Sequence, residues 1–365
     1  MIYNNHWLNY LKVLTEPIFD RRSNKNLNKK EVFHNFAKKM ATEILFIVNP
    51  ISGTGKQKKL NAILAKALDY NQFRPTIVYT EHAGHATELS RKAIGQYDIV
   101  IAVGGDGTVN EVVKGLADSQ TIMGIIPVGS GNGLARHLNI PMKMEEAVKV
   151  INKQLVERID TVKINNELSV NVSGVGFDAH VAHKFSKNGK RGSIPYVKIA
   201  ATEFQQYKTQ AYKIVADGKP MFRNAFMISL ANSTQFGNNA LISPEAKIDD
   251  GLVDICIMSE FPKVEAPALA ARLFNRTMHK SKFIEIVRAR KVEIDTNHPI
   301  VCHIDGEPVV FDDMLDIEVQ PASLSIIYND EVQKPIITNI EKEFAKLFGI
   351  AKDGIFNNKK ALGEK

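Results

Sequence analysis

In the first half of the chain the apolar residues come as short unbroken runs rich in β-branched side chains, at 44–48, 76–79, 99–103 and 122–128. Unbroken runs of that length predict strands covered on both faces, as in a parallel sheet. After three of them the period becomes helical. Val109, Val112, Val113 and Leu116 fall at i, i+3, i+4 and i+7, Leu60, Ile63, Leu64 and Ala67 share one face, and Leu134 and Leu138 open a third pattern. A further helix runs from Met144 through Ala147 to Ile151. This alternation predicts an α/β domain over residues 41–158.

From Ile159 the pattern changes to short runs bounded by turn residues, at 162–164, 170–172, 212–216, 225–230, 253–257, 292–294, 309–311 and 317–319. Such spacing predicts a mainly antiparallel β-sandwich over 159–325. Two helices interrupt it. One spans 194–208, with Ile194, Val197, Ala201 and Phe204 on one face; the other spans 263–281, with apolar Leu269, Leu273 and Phe274 and basic Arg272, Arg276 and Lys280. Residues 326–365 hold a last helix, spaced by Ile340, Phe344, Leu347 and Phe348 and expected to pack back on the first domain, followed by a polar tail.

Charge adds one distinction. Residues 1–40 carry eight Lys or Arg against three Asp or Glu, so five of the seven net positive charges sit there and the rest of the chain is nearly neutral. Nucleic acid is therefore not an expected partner. The segment lacks an apolar period, and Met40-Ala41-Thr42 stands just before the first core strand. Residues 1–40 are read as a basic extension, disordered or not native, with Met40 as the natural start. No stretch of eighteen apolar residues occurs, which argues against a spanning helix or a signal peptide. Cys256 and Cys302, each in an apolar run, are expected to be inert core thiols in a reducing cytoplasm.

The chemistry concentrates where the parallel strands end. Gly104-Gly105-Asp106-Gly107-Thr108 joins the third strand to its helix, Asn49-Pro50-Ile51-Ser52-Gly53 follows the first, and Gly129-Ser130-Gly131-Asn132-Gly133 follows the fourth. Glycines there let backbone N–H groups approach a phosphate, and a helix N-terminus adds partial positive charge. In an open parallel sheet these ends share one crevice, so the loops should converge. A carboxylate in such a loop, Asp106, calls for a metal ion or a hydroxyl beside it. Neither common nucleotide fingerprint is present: Gln57 follows Lys56 where a Walker A loop needs Ser or Thr, and the spacing G-x-G-x-x-G is absent.

Asn49-Pro50 with Ser52-Gly53, then residues 104–111, then Pro127-Val128-Gly129-Ser130-Gly131-Asn132 resemble, in order and spacing, the diacylglycerol kinase catalytic-domain family, which includes bacterial lipid kinases, sphingosine kinases and ceramide kinases. The resemblance runs from about residue 44 to 330. It implies a Rossmann-like first domain similar to NAD kinases and phosphofructokinases, an active site in the interdomain cleft, and transfer of the γ-phosphoryl group of ATP to a lipid hydroxyl. The implied ATP positions are Asn49, Ser52, Gly53, Thr80, Gly104, Gly105, Asp106, Gly107, Thr108, Val109, Asn110, Gly129 and Ser130. Read alone, Asp305-Gly306-Glu307 is a type I′ hairpin turn. By resemblance it projects into the cleft, with Glu307 as the expected proton acceptor and Asp305 beside it. The residues themselves do not say which of the two is the base.

The same resemblance implies a structural Mg²⁺ held by Asp250 and the backbone carbonyls of Lys247 and Leu252, apart from the Mg²⁺ that accompanies ATP. Helix 194–208 and segment 171–179 resemble the walls of the lipid pocket. His180 stands where sphingosine kinases place an acid against the lipid amine, which favours a neutral head group such as diacylglycerol or phosphatidylglycerol. Lys184, Lys187, Lys190 and Arg191 form a basic loop for peripheral contact with the inner membrane surface. A cytoplasmic homodimer completes the expectations. An NAD kinase shares the Gly-Gly-Asp-Gly loop, and a catalytically silent lipid or nucleotide sensor would share the fold; the acids at 106, 250, 305 and 307 weigh against the latter.

Overall fold

Strand Ile99–Gly104 is buried at every position, as its unbroken apolar run requires, and lies between Thr42–Val48 and Ile122–Pro127, parallel to both. The computed structural model describes residues 19–20, 25–26, 41–53, 55–188, 192–333 and 339–347. Two compact units are present, Met1–Thr42 with Asp69–Arg74, and Glu43–Leu68 with Pro75–Lys365. In the first, Phe19–Asp20 pairs antiparallel with Lys25–Asn26. The rest of the extension expected over 1–40, the polar tail, Phe348, Lys190 and Arg191 lie outside the described residues.

Within the second unit, helix Asp106–Leu116 leaves Ile99–Gly104 at once. It crosses His85–Ala93 so closely that a Cβ on Gly115 would stand 1.9 Å from Ser90 Oγ. The antiparallel half is built on Lys219–Ala231, which pairs with Gln210–Ala216, Val253–Ser259 and Val172–Gly176. Its core includes Ile214, Ile228, Ile255, Ile294, Cys302 and Ile317. Both cysteines are buried free thiols whose pKa burial pushes up.

Met314–Ile327 joins the halves. It runs antiparallel to Val156–Ile164 and then parallel to Ile122–Pro127, with Ile326 opposite Met123. The register breaks between Gln320 and Leu324, where Ala322 has φ +48° and donates its N–H to Asp160 Oδ1 at 2.7 Å. Beyond that bend the strand keeps its antiparallel partner while it meets the parallel strands, so both halves belong to one continuous sheet.

Several expected elements differ. Lys184 and Lys187 lie on a helix, Phe177–Lys187, and not in a loop; its buried face of Asp178, Ala179, Val181 and Ala182 is too small and polar to register as an apolar stripe. The expected helix 263–281 is three pieces, Lys263–Glu265, Ala266–Phe274 and Met278–Lys280, and the chain reverses at Arg276, φ +57°. Arg272 turns onto the Thr277 carbonyl at 3.3 Å, so no continuous basic face forms. The strand expected at 170–172 begins only at Val172, because the N–H groups of Val170 and Asn171 go to the Asp305 carboxylate. The last helix, Asn339–Leu347, expected on the first domain, instead meets Ser193–Phe204 and Ala266–Phe274, with Phe344 5.4 Å from Phe274.

Candidate active site

The three glycine loops meet. A Cβ on Gly53, itself at φ +61°, would stand 2.3 Å from the Val128 carbonyl oxygen. One on Gly129 would stand 2.5 Å from Gly105 Cα. Asn49 Nδ2 donates to Thr108 Oγ1 at 3.1 Å, and its backbone N–H to Val103. Thr80, buried at the end of Phe73–Tyr79, donates its N–H to Val48. Ser52 donates its N–H to Asn49, and Ser130 is exposed at the tip of its loop. Close glycine contacts at three strand ends, with the N–H groups of Gly107 and Thr108 in the first turn of an eleven-residue helix, form a cradle suited to phosphate.

Asp106 has a structural task within it. Its two oxygens accept the N–H groups of Asn132 and Gly133, both at 2.8 Å, tying the second glycine loop to the third. Burial, against those hydrogen bonds and with the Asp305 charge adding to it, raises its pKa. Gly131 must be small here, since a Cβ would stand 2.6 Å from Asp106 Oδ2. The neighbouring motif residues also face protein. Asn110 Nδ2 donates to Leu168 O and to Asp305 Oδ2, both at 2.8 Å. Glu111 accepts the N–H groups of Gly84 and Ala86 at 2.9 and 3.0 Å and caps helix His85–Ala93. That role had one sequence signal: Ala83-Gly84 offers no capping side chain, so an acceptor must come from elsewhere.

The acidic turn is a two-residue hairpin between Ile300–Ile304 and Glu307–Phe311, with Asp305 and Gly306 at φ +49° and +96°, as a type I′ turn demands. Its two carboxylates differ sharply. Asp305 is buried and accepts four hydrogen bonds, from Ser169 Oγ at 2.6 Å, Asn110 Nδ2 at 2.8 Å, and the N–H groups of Val170 and Asn171 at 3.0 Å. The Glu307 side chain is exposed and its carboxylate has no hydrogen bond among the described residues. Its Oε1 stands 3.4 Å from where a Cβ on Gly107 would be, at the head of the helix. The arrangement leaves one carboxylate available beside the cradle and holds the other in the wall.

Asp250 and Leu252 belong to a separate network, with Lys247 exposed beside it in the chain. Asp160 Oδ2 accepts the Gly251 N–H at 2.7 Å, and Asp250 Oδ1 accepts the Leu252 N–H at 3.2 Å. Arg288 Nη2 contacts Asp250 Oδ2, while its Nε donates to Asp254 Oδ1 at 3.0 Å. Sequence reasoning missed Arg288 and Asp160, which sit far from the loop in the chain.

Of the expected pocket walls, Phe177, Phe204 and Tyr207 pack with Phe226 of strand Lys219–Ala231 as one aromatic cluster with ring centroids 4.6–6.2 Å apart. His180 Nε2 meets Glu203 Oε2 at 2.6 Å, and this hydrogen bond lowers the Glu203 pKa. An acid thus stands beside position 180 although none is encoded there.

Comparison with known proteins agrees with this architecture. Residues 43–164 match the family model of the diacylglycerol kinase catalytic domain, and residues 171–328 match that of the YegS C-terminal NAD kinase beta sandwich-like domain. "Diacylglycerol kinase" of Bacillus subtilis (strain 168) is 29% identical over 276 residues, covering 72% of this chain and 88% of the relative. "Probable lipid kinase YegS-like" of Chromohalobacter salexigens is 30% identical over 232 residues, covering 61% and 73%. A crystal structure of a diacylglycerol kinase from Bacillus anthracis str. Sterne superposes with a TM-score of 0.64 at 26% identity, covering 80% of this chain and 98% of that one. The chain is a kinase of the family of diacylglycerol kinases and YegS-like lipid kinases, an α/β domain followed by an antiparallel β-sandwich.

Proposed function

We propose that this chain transfers the γ-phosphoryl group of ATP, as its Mg²⁺ complex, to the hydroxyl of a diacylglycerol-like glycerolipid. The observation that carries this reading is the unpartnered Glu307 carboxylate beside Gly107, at the head of the helix that leaves the glycine cradle. Residues 104–109, with Asn49, Ser52-Gly53, Thr80 and Gly129-Ser130, hold the nucleotide. Asn110 takes the adjoining place, fastening the cradle to the acidic turn. Glu307 accepts the proton of the lipid hydroxyl, and Asp305 anchors the turn that presents it. Phosphoryl transfer needs mainly positioning and charge stabilisation. No Lys follows the glycines into a Ser or Thr, so the helix N-terminus and the nucleotide's own Mg²⁺ supply the positive charge.

A divalent ion at Asp250 is a different matter. That carboxylate is already met by Arg288, a permanent cation, so the loop fits a metal only with Arg288 displaced, and no step of the reaction passes through it. Asp250→Ala is expected to lower the melting temperature with or without Mg²⁺, because it releases Arg288 and the Leu252 N–H. A melting temperature that rises with Mg²⁺ in the wild type, and no longer does so in the variant, assigns the metal to this loop instead.

No helix among the described residues is long and apolar enough to cross a membrane. The lipid is reached from the cytoplasmic leaflet by peripheral contact, helped by Lys184 and Lys187. Binding to anionic vesicles should therefore weaken as salt rises, since surface attraction is screened over about 10 Å at 0.1 M salt. Salt-independent binding removes the electrostatic part of this proposal. The function itself is tested by transfer of labelled γ-phosphate from ATP with Mg²⁺ to dispersed diacylglycerol, phosphatidylglycerol, sphingosine, ceramide and monoacylglycerol, with NAD in a separate reaction. Label in diacylglycerol supports the proposal. Label only in NAD, or only in an amino lipid, overturns it.

A further inference from the structure

The hairpin that carries Glu307 is held on a second side, away from the anchors of Asp305. His303, 3% exposed, accepts the Gly306 N–H at Nδ1, 3.2 Å away. An acceptor at Nδ1 puts the ring proton on Nε2, which stands 3.2 Å from Asp178 Oδ2. The same oxygen accepts Ser229 Oγ at 3.1 Å, and Oδ1 accepts the Ala179 N–H at 2.8 Å in the first turn of helix Phe177–Lys187. Space for the pair is reserved by a glycine. Gly174 lies opposite His303 in the strand register, and a Cβ on it would stand 2.8 Å from Asp178 Oδ2.

We infer that Asp178 and His303 form a buried positioning pair that sets the Asp305-Gly306 turn, and through it the carboxylate of Glu307, for proton transfer. The inference rests on the lipid kinase reading above. The pair acts through backbone: no hydrogen bond joins Asp178 or His303 to Glu307 among the described residues. A two-residue turn gripped at Asp305 by four donors and at Gly306 by an imidazole has little freedom to tilt. Asp178 matters by fixing the imidazole tautomer. With a neutral amide in its place, the amide nitrogen donates to His303 Nε2, the ring proton moves to Nδ1, and two N–H groups then face each other at Gly306.

The test is Asp178→Asn, with His303→Asn and His303→Ala beside it, in the full chain. Asp178→Asn is expected to lower kcat for lipid phosphorylation about ten- to a hundredfold, the size usual for partners that orient a functional group, with KM for ATP unchanged. His303→Asn, whose amide oxygen stands near the place of Nδ1, should retain more kcat than His303→Ala. Spectra of protein carrying ¹⁵N-labelled histidine should show His303 protonated at Nε2 in the wild type and at Nδ1 in Asp178→Asn. Wild-type kcat in Asp178→Asn overturns the inference. Should that variant not fold, equal kcat in the two His303 variants overturns it as well. An unchanged tautomer refutes the pairing whether or not any lipid is phosphorylated, whereas a tautomer switch in a protein that phosphorylates none of the lipids leaves the pair standing and defeats the kinase reading alone.

Discussion

Glu307→Gln is expected to slow lipid phosphorylation by about 10²–10⁴-fold, the usual contribution of a positioned general base, while ATP affinity and the unfolding midpoint stay as in the wild type. The amide keeps the size of the side chain and removes only its ability to accept a proton. Stability should not change, because the Glu307 side chain is exposed and its carboxylate has no hydrogen bond to lose among the described residues; substitutions at such places usually shift stability by less than about 0.5 kcal/mol. Nucleotide binding should persist because the cradle is built from residues 49–53, 104–110 and 128–133, whose mutual contacts do not include the Glu307 carboxylate apart from its approach to Gly107. Steady-state rates, calorimetric ATP binding and a denaturant titration decide it together. A Gln variant with near-normal turnover would pass the role of base to Asp305.

Asp305→Asn should behave in the opposite way and lose stability and turnover together. The wild-type carboxylate serves four donors at once, from Asn110, Ser169, Val170 and Asn171. An amide can accept on one side only, so its NH₂ must face either the Asn110 side chain and the Val170 N–H or Ser169 and the Asn171 N–H. Facing Asn110 and Val170, the NH₂ leaves two donors unmade; facing Ser169, whose hydroxyl can turn to accept, it leaves the Asn171 N–H unmade, and each buried donor so left costs about 1–3 kcal/mol. The hydrogen bond from Asn110 links the helix of the nucleotide cradle to the turn, so turnover falls even in the molecules that remain folded. Denaturant unfolding gives the stability, and activity measured well below the new midpoint separates the two losses. Unfolding at the wild-type midpoint would contradict the anchoring role.

Local signals carried far in this chain. The unbroken run before Gly104 demanded a strand covered on both faces, and Ile99–Gly104 is buried throughout. Glycines 53, 105 and 129 predicted close backbone approach, and their missing side chains are where the three loops touch. The Asp-Gly pair predicted a turn with two positive φ angles and received one. Each is a short-range rule, set by sterics within a few residues.

What a side chain faces is not a short-range property. Asp106 and Asp305 both looked like acids for chemistry, yet one ties two loops and the other anchors a turn, because their donors come from residues 26 or more positions away. Val170 reads as the start of a strand and is not, since its N–H finds a carboxylate distant in sequence. Helix Phe177–Lys187 was hidden for the same reason: its buried face includes Asp178, and a buried charge is tolerable only with partners such as Ser229 and His303, which no local pattern reveals. By itself the sequence determined the strand-to-helix alternation at the glycine loops, the glycine cradle and the acidic turn. Tertiary structure alone decided which carboxylate stays exposed, because burial and hydrogen-bond saturation depend on donors that only folding brings together.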